Sequence, residues 1–199
     1  LRDGAFHNMT HDDWDQVYEV HLKGAFRVTH AAWPCLREQT FGRIVFTSSA
    51  AGLYGNFGQA NYAMAKMGLV GFCQSLAQEG RRYGILANTI APVADSRLTA
   101  DVMPEELRAR LQPEQVSPLV LKLAHESHDE TGGLFEAGAG MIARVRWERA
   151  RGHAFPASET ITPEAIDANW KAIADFSEPD HPADAQSALS GLLTRVRSD

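Results

Sequence analysis

Residues 42–66 read GRIVFTSSAAGLYGNFGQANYAMAK, and they combine three kinds of local pattern. The β-branched and aromatic run at residues 43–47 is apolar on consecutive positions, as expected for a strand that is covered on both faces. A glycine-rich stretch from Gly52 to Gly58 follows, and a helix of small residues is predicted from Gln59 to Gly80. A strand, a turn and a helix in this order favour an α/β protein.

The same alternation continues along the chain. A second buried strand is predicted at residues 85–91, and a third, short one at residues 132–136, with helical segments between them. Alternating strands and helices are typical of a parallel sheet with right-handed crossovers. We therefore predict the C-terminal portion of a Rossmann-like, doubly wound parallel sheet with about three strands over residues 1–155. A helical C-terminal extension is predicted over residues 156–199.

The residues before the first strand predict a helix. Thr10 is a candidate N-cap, and Asp13 three residues later completes a capping box. Pro34 is expected to end this helix. The first strand has no earlier strand to pair with, and native proteins avoid a long apolar edge of that kind. We therefore expect that the chain is the second part of something larger.

Composition excludes several classes of function. Hydrophobic residues make up 44% of the chain, and 25 acidic against 19 basic residues give a net charge of −6. This balance argues against a nucleic-acid or anionic membrane partner. Two cysteines exclude a disulfide framework, and His125 with His128 lacks a third ligand for zinc. We therefore expect no metal site. We also expect a cytoplasmic protein, since residues 197–199 match no peroxisomal address.

Ser49, Tyr62 and Lys66 are the candidate catalytic group. Tyr62 and Lys66 are four residues apart on the predicted helix and therefore share one face. An ammonium beside a phenol stabilises the phenolate, which equips Tyr62 as a general acid or base. Ser49 follows a buried strand, at the edge where α/β sheets bind ligands. The alternative, an ordinary surface pair on a helix, is less favoured because a double serine and a glycine-rich turn precede Tyr62.

Several motifs resemble the short-chain dehydrogenase/reductase family. They are TSS at residues 47–49, NYAMAK at residues 61–66 and NTIAP at residues 88–92. Longer stretches, such as residues 54–62 and 132–140, resemble one subgroup of that family. It comprises the (3R)-hydroxyacyl-CoA dehydrogenases that occur as a unit of the peroxisomal multifunctional enzyme type 2 and as stand-alone bacterial proteins.

The resemblance implies roles for individual residues. Tyr62 would be the acid/base, Lys66 would bind the nicotinamide ribose, and Ser49 would hold the substrate oxygen. His21 stands where the family usually has an Asn that supports a relay water, and it counts as the fourth catalytic candidate. The implied cofactor is NAD, with NADP not excluded, and the implied contacts to it are Tyr62, Lys66, Ala91, Pro92, Val93, Ser96 and Thr99.

The implied function is oxidation of a (3R)-3-hydroxyacyl-CoA to the 3-ketoacyl-CoA by hydride transfer to NAD. The implied partners are the acyl-CoA substrate and further copies of the chain, in a homodimer or a higher homo-oligomer. The family's glycine-rich cofactor loop would precede Leu1. Two alternatives therefore stay open: a steroid or ketoacyl reductase with the same site, and a truncated, non-catalytic dimerising fragment.

Two other patterns also have more than one interpretation. Residues 138–143 match a dinucleotide-binding fingerprint, which we reject because the charged run after them does not fit a helix buried against a sheet. Four arginines between residues 144 and 151 could contact the phosphates of CoA. Alternatively, they form a solvated face that is paired with nearby glutamates.

Overall fold

The computed structural model describes residues 2–94, 105–108 and 110–196. The chain divides into two compact units, Leu1–Val145 and Arg146–Asp199. The sequence had placed the corresponding boundary later, after residue 155. The first unit contains the sheet, and the second contains three short helices.

The N-terminal helix begins at the predicted cap. After a short 3-10 turn at Phe6–Asn8, helix α1 spans His11–Tyr18. Thr10 Oγ1 accepts a hydrogen bond from the Asp13 backbone N–H at 3.1 Å, and the Thr10 N–H donates to the Asp13 carboxylate at 3.3 Å. The predicted capping box is confirmed, and it satisfies two donors that the helix itself leaves unpaired.

A π-helical turn at Glu19–Lys23 joins α1 to helix α2, which spans Gly24–Glu38. The prediction that Pro34 ends the helix is wrong, because this proline lies inside α2. A proline costs the helix one N–H hydrogen bond. Ala25 and Trp33 of α2 pack against the buried core, and this burial offsets the local cost.

The sheet has four strands in the order β1-β2-β3-β4. Strands β1 (Gly42–Thr47), β2 (Ile85–Pro92) and β3 (Leu134–Gly138) are parallel neighbours, in a register that pairs Thr47 with Ile90. The three predicted strands and the parallel α/β class are confirmed. The carboxyl ends of the three strands therefore meet at one edge.

The prediction of about three strands misses the fourth. Strand β4, Met141–Val145, pairs antiparallel with β3. The tight connection has positive φ at Ala139 (51°) and Gly140 (77°), which is the backbone of a two-residue hairpin turn. The glycines that mimic a dinucleotide fingerprint thus belong to a hairpin, in agreement with its rejection.

Helices cover both faces of the sheet, as a doubly wound fold requires. The helical elements after β1 in this unit are α3 (Ala50–Tyr54), α4 (Ala60–Gly80), a 3-10 turn at Arg81–Tyr83, α5 (Glu105–Arg108), a 3-10 turn at Pro113–Gln115 and α6 (Ser117–Ala124). On one face α4 packs over a core that includes Phe46, Leu69 and Cys73. On the other face α6 packs over a core that includes Ile90 and Leu119.

The second unit is helical, with α7 (Pro163–Ala168), α8 (Trp170–Ile173) and α9 (Ala185–Val196). Arg149 binds both carboxylate oxygens of Asp180, at 2.9 and 2.7 Å, and Arg195 binds the same carboxylate at 2.7 Å. In the part of the chain that the structure describes, no helix is long and apolar enough to cross a membrane.

Candidate active site

Lys66 lies on α4 with only 8% of its surface exposed. Its Nζ donates a hydrogen bond to the backbone carbonyl of Thr47 at 2.8 Å, at the carboxyl end of β1. Burial lowers the pKa of the Lys66 amine, because a low-dielectric environment disfavours its charged form. An ammonium group has three donors, and Thr47 takes one of them.

Tyr62 lies one helical turn before Lys66. The Lys66 Nζ is 5.5 Å from the centroid of the Tyr62 ring, so the predicted sharing of one helix face is confirmed. A cation at this distance is attracted to the face of the ring.

His21 meets the same tyrosine edge-on. The ring centroids of His21 and Tyr62 are 5.2 Å apart, with an interplanar angle of 88°. Burial lowers the pKa of His21, and the charge of Lys66 lowers it further. A lowered pKa favours the neutral imidazole, which can accept one proton and donate another.

The π-helical turn carries His21. Its hydrogen bond runs from the Gly24 N–H to the Glu19 carbonyl, five residues back. Single π-turns inside α-helices are rare and often occur at functional sites. The extra residue in the turn changes the direction of the side chains around it, and in this chain the turn brings His21 beside Tyr62.

Ser49 lies just beyond β1 and is the N-cap of α3. Its Oγ accepts a hydrogen bond from the Ala51 backbone N–H at 3.3 Å. That bond uses the oxygen as an acceptor, while the hydroxyl proton is a donor. Ser49 therefore lies at the same edge of the sheet as Thr47, whose carbonyl binds Lys66.

The turn after β2 is held in place by β3. The Val93 N–H donates to the Ala137 carbonyl at 2.8 Å, and Ala91 is fully buried. A Cβ at Gly138 would lie 2.4 Å from the Val93 carbonyl oxygen, so this close approach requires glycine. The predicted contacts Ala91, Pro92 and Val93 lie at this turn, whereas Ser96 and Thr99 lie outside the described residues.

Tyr62 and His21 share a pocket of about 230 Å³. Arg2, Asp3 and Gln16 contribute polar groups to its wall. A water molecule occupies roughly 30 Å³ in the liquid, so the pocket has room for several waters or a small polar group. Both titratable rings of the site therefore face a space that a proton carrier can occupy.

A larger groove of about 580 Å³ lies at the other end of α4 and includes Arg37, Arg81 and Arg82. Helices α2 and α4 both end there. Cationic side chains at helix C-termini offset the helix dipoles, so these arginines have a structural role. We assign no site to this groove.

Three of the four arginines between residues 144 and 151 form ion pairs. Arg144 pairs with Glu130 at 2.8 Å, Arg149 pairs with Asp180, and Arg151 pairs with Glu178. These ion pairs favour the interpretation of the arginines as a paired surface. Within the described ranges, no three His, Cys, Asp or Glu residues are grouped to hold a metal ion.

Sequence reasoning missed two contacts and one buried polar residue around the site. Ser48 Oγ donates to the Lys66 carbonyl at 2.8 Å. Tyr54 Oη donates to Glu136 at 2.7 Å. Asn61 is fully buried directly before Tyr62. The double serine and the Asn-Tyr dipeptide are visible in the sequence, but nothing local shows which atoms they bind.

Comparison with known proteins places this site in a family. Residues 1–106, more than half of the chain, match the family described as short chain dehydrogenase. The chain belongs to the short-chain dehydrogenase family. Members of this family typically use NAD or NADP, and they are typically oligomeric.

Two curated relatives show which members this short-chain dehydrogenase is similar to. It is 52% identical over 198 residues to peroxisomal multifunctional enzyme A of Dictyostelium discoideum, covering 100% of this chain and 44% of that protein. It is 50% identical over 193 residues to the peroxisomal hydratase-dehydrogenase-epimerase of Neurospora crassa, covering 96% of this chain and 22% of that protein.

A solved structure supports the same grouping. Full-length peroxisomal multifunctional enzyme type 2 from Drosophila melanogaster matches with a TM-score of 0.91 and 36% identity, over 99% of this chain and 36% of that chain. The short-chain dehydrogenase thus spans less than half the length of each of these three proteins. The predicted Rossmann-like fold and the predicted resemblance to the peroxisomal multifunctional enzymes are confirmed.

The expected cytoplasmic location is contradicted. The curated relatives at about half identity are named as peroxisomal enzymes, and this points to the peroxisome. The expectation rested on residues 197–199, and a terminal tripeptide reports location only when it is the end of the mature protein.

Proposed function

We propose that this short-chain dehydrogenase oxidises a (3R)-3-hydroxyacyl-CoA to the 3-ketoacyl-CoA, with NAD as the cofactor. The observation that carries the proposal is the grouping of Lys66 and His21 around the Tyr62 ring, at 5.5 Å and 5.2 Å. The reaction type, a dehydrogenation, is supported by the relative that is named a hydratase-dehydrogenase-epimerase.

The chain's residues fit the nicotinamide half of the cofactor. Lys66 Nζ has donors beyond the one that Thr47 takes, and these suit the hydroxyls of a ribose. The turn at Ala91–Val93 is held close to β3 by the Val93 N–H bond to Ala137, and we assign the nicotinamide ring to it. NAD, when bound, supplies the acceptor for the hydride that leaves C3 of the substrate.

The proton takes a separate route. Tyr62 acts as the phenolate, which the ammonium of Lys66 stabilises, and its Oη accepts the proton of the C3 hydroxyl while the C3–H bond breaks, which leaves a neutral phenol. Ser49 Oγ donates a hydrogen bond to the substrate oxygen. His21 faces the 230 Å³ pocket and orients a water there, which carries the proton on to solvent.

The experiment uses the full-length natural protein. Formation of NADH, or of NADPH when NADP replaces NAD, is followed with (3R)- and (3S)-3-hydroxyacyl-CoA of short and long chain. We expect turnover with the (3R) substrates, and little with the (3S) substrates. Absence of turnover with every (3R) chain length would refute the proposal.

A secondary steroid alcohol and a 3-ketoacyl-CoA with NADPH serve as comparison substrates. Higher kcat/KM for the steroid would favour the steroid reductase alternative, since the same residues would serve that reaction. A calorimetric titration with NAD tests the non-catalytic alternative. A folded protein that binds no NAD would support a role in docking rather than catalysis.

A further inference from the structure

Asn61 is a polar side chain with no exposed surface. It lies in the first turn of α4, directly before Tyr62. A buried amide is costly unless its oxygen and nitrogen both find partners. The partners of Asn61 therefore show what this residue holds together.

Each polar atom of the Asn61 side chain has a backbone partner. Oδ1 accepts a hydrogen bond from the Tyr62 N–H at 2.8 Å, and Nδ2 donates to the carbonyl oxygens of Asp13 at 3.2 Å and Arg2 at 3.1 Å. An N–H can only donate and a carbonyl can only accept. The orientation of the amide is therefore determined by its partners.

The hydrogen bond between Asn61 and the Tyr62 N–H caps the N-terminus of α4. The first N–H groups of a helix have no partner within the helix. Gln59, at the N-cap position of α4, uses its side chain to bind Asp3 instead, at 2.7 Å. Asn61 thus satisfies the Tyr62 N–H from within the first turn.

The bonds to Asp13 and Arg2 reach a different part of the chain. Asp13 belongs to α1, which continues through the π-turn to His21. Asn61 thus joins the helix that carries Tyr62 to the helix that carries His21. The two rings meet at 5.2 Å, and proton transfer tolerates only small errors in such geometry.

We propose that Asn61 is a positioning residue that sets the geometry between Tyr62 and His21. The inference rests on the proposed function for its catalytic meaning, but its geometric part can be tested without turnover. Asn61 is fully buried and binds only backbone atoms, so we assign it no contact with a substrate or cofactor.

The first test measures geometry. The ring current of Tyr62 shifts the NMR signals of the His21 ring protons. In Asn61→Ala we expect this shift to be lost, while the matched control Asn56→Ala, an exposed asparagine, keeps it. A folded Asn61→Ala protein with an unchanged His21 shift would overturn the inference.

If Asn61→Ala does not fold, a second variant and a measurement on the unaltered protein still test the inference. Asn61→Ser retains an acceptor near the Tyr62 N–H but is too short to reach the Asp13 carbonyl, and we expect the same loss of shift. In the unaltered protein, the Tyr62 amide should exchange its hydrogen slowly although it lies in the first helical turn. Rapid exchange of that amide would show that Asn61 does not hold it.

The kinetic test separates this inference from the proposed function. In the full-length protein, Asn61→Ala should lower kcat roughly tenfold to 100-fold while KM for NAD changes little, because a misplaced proton acceptor slows chemistry. A merely structural role would lower the melting temperature and leave kcat unchanged well below it. If the unaltered protein has no dehydrogenase activity, the proposed function fails, and the NMR shift still decides the role of Asn61.

Discussion

The Lys66 side chain donates to the Thr47 carbonyl at 2.8 Å, while the Lys66 carbonyl accepts a hydrogen bond from Ser48 Oγ at 2.8 Å. The carboxyl end of β1 and the middle of α4 are therefore joined in both directions. The side-chain bond holds the lysine charge near Tyr62, and the second bond holds the backbone from which that charge extends. The two adjacent residues Thr47 and Ser48 thus place Lys66 for the proposed chemistry.

Tyr62→Phe should reduce dehydrogenase turnover by at least roughly 100-fold, because general acid–base catalysis contributes that much or more. The phenol oxygen is the only group removed, so the melting temperature should change little. Tyr18→Phe, at a half-exposed tyrosine of α1, is the matched control and should retain activity. Turnover that survives in Tyr62→Phe would remove this residue from the acid–base role.

His21 should make stability depend on pH. Its pKa is lowered from the ordinary 6.5, so between the lowered value and 6.5 the unfolded chain binds more protons than the folded chain. Stability therefore falls as the pH drops through that window, and rises as the pH increases through it. Urea unfolding between about pH 5 and 7 should show this slope.

His21→Gln should flatten the slope, whereas His7→Gln, at an exposed histidine, should leave it in place. The difference between the two variants isolates His21 from other titrating groups. An unchanged slope in His21→Gln would contradict the assignment.

The substitutions Gly52→Ala and Gly71→Ala should change the free energy of unfolding in opposite directions. A Cβ at Gly52 would lie 2.8 Å from the Lys66 Cβ and 3.0 Å from the Met67 nitrogen, so Gly52→Ala should destabilise the protein by about 1–3 kcal/mol. A Cβ at Gly71 meets nothing within 4 Å, and Gly71→Ala in the middle of α4 should stabilise it by up to about 1 kcal/mol. Chemical denaturation of both variants measures the difference, and equal effects would show that α3 does not lie against Lys66.

The adjacent serines should have separable roles. Ser48→Ala removes a buried hydrogen bond to the Lys66 carbonyl and should lower the free energy of unfolding by about 1 kcal/mol, with a small effect on kcat. Ser49→Ala removes the proposed donor to the substrate oxygen and should lower kcat by roughly 100-fold. Steady-state kinetics and urea unfolding of both variants provide the test, and a larger kcat loss in Ser48→Ala would reverse the assignment.

Asp180 should stabilise the C-terminal unit in a pH-dependent way. The hydrogen bonds from Arg149 lower the pKa of Asp180, and the charges of Arg149 and Arg195 lower it further. Its stabilising effect is therefore present above the ordinary value of 3.8 and is lost as the pH falls through the lowered pKa.

Asp180→Asn should lower the melting temperature at neutral pH, with a smaller difference in acid. Asp167→Asn, at an exposed aspartate, is the control and should leave the melting temperature unchanged at neutral pH and in acid. Equal melting temperatures for the two variants at neutral pH would show that the Arg149–Asp180–Arg195 group adds no stability.

Several features of the protein follow from residues that are close in the sequence. The capping box of Thr10 and Asp13 spans three residues, and the shared face of Tyr62 and Lys66 spans four. Apolar runs identify β1 and β2 because strands buried on both faces have few other compositions. Local periodicity and local hydrogen bonds thus predict where elements begin and which side chains share a face. The sequence does not predict strand β4, because Met141–Val145 runs directly into a charged stretch, and its pairing with β3 identifies the strand.

The contacts that complete the candidate site join distant parts of the chain. Thr47 meets Lys66, His21 meets Tyr62, and Asn61 meets Asp13, and no spacing rule relates the members of these pairs. Their proximity depends on how α1 and α4 pack together and on how α4 packs against the sheet, because burial of apolar surface brings whole elements together and polar side chains then find partners. The spacing of Tyr62 and Lys66 in the sequence therefore predicts that they act as a pair. Which residues contact this pair depends on the packing of the helices and the sheet, and only the tertiary structure shows it.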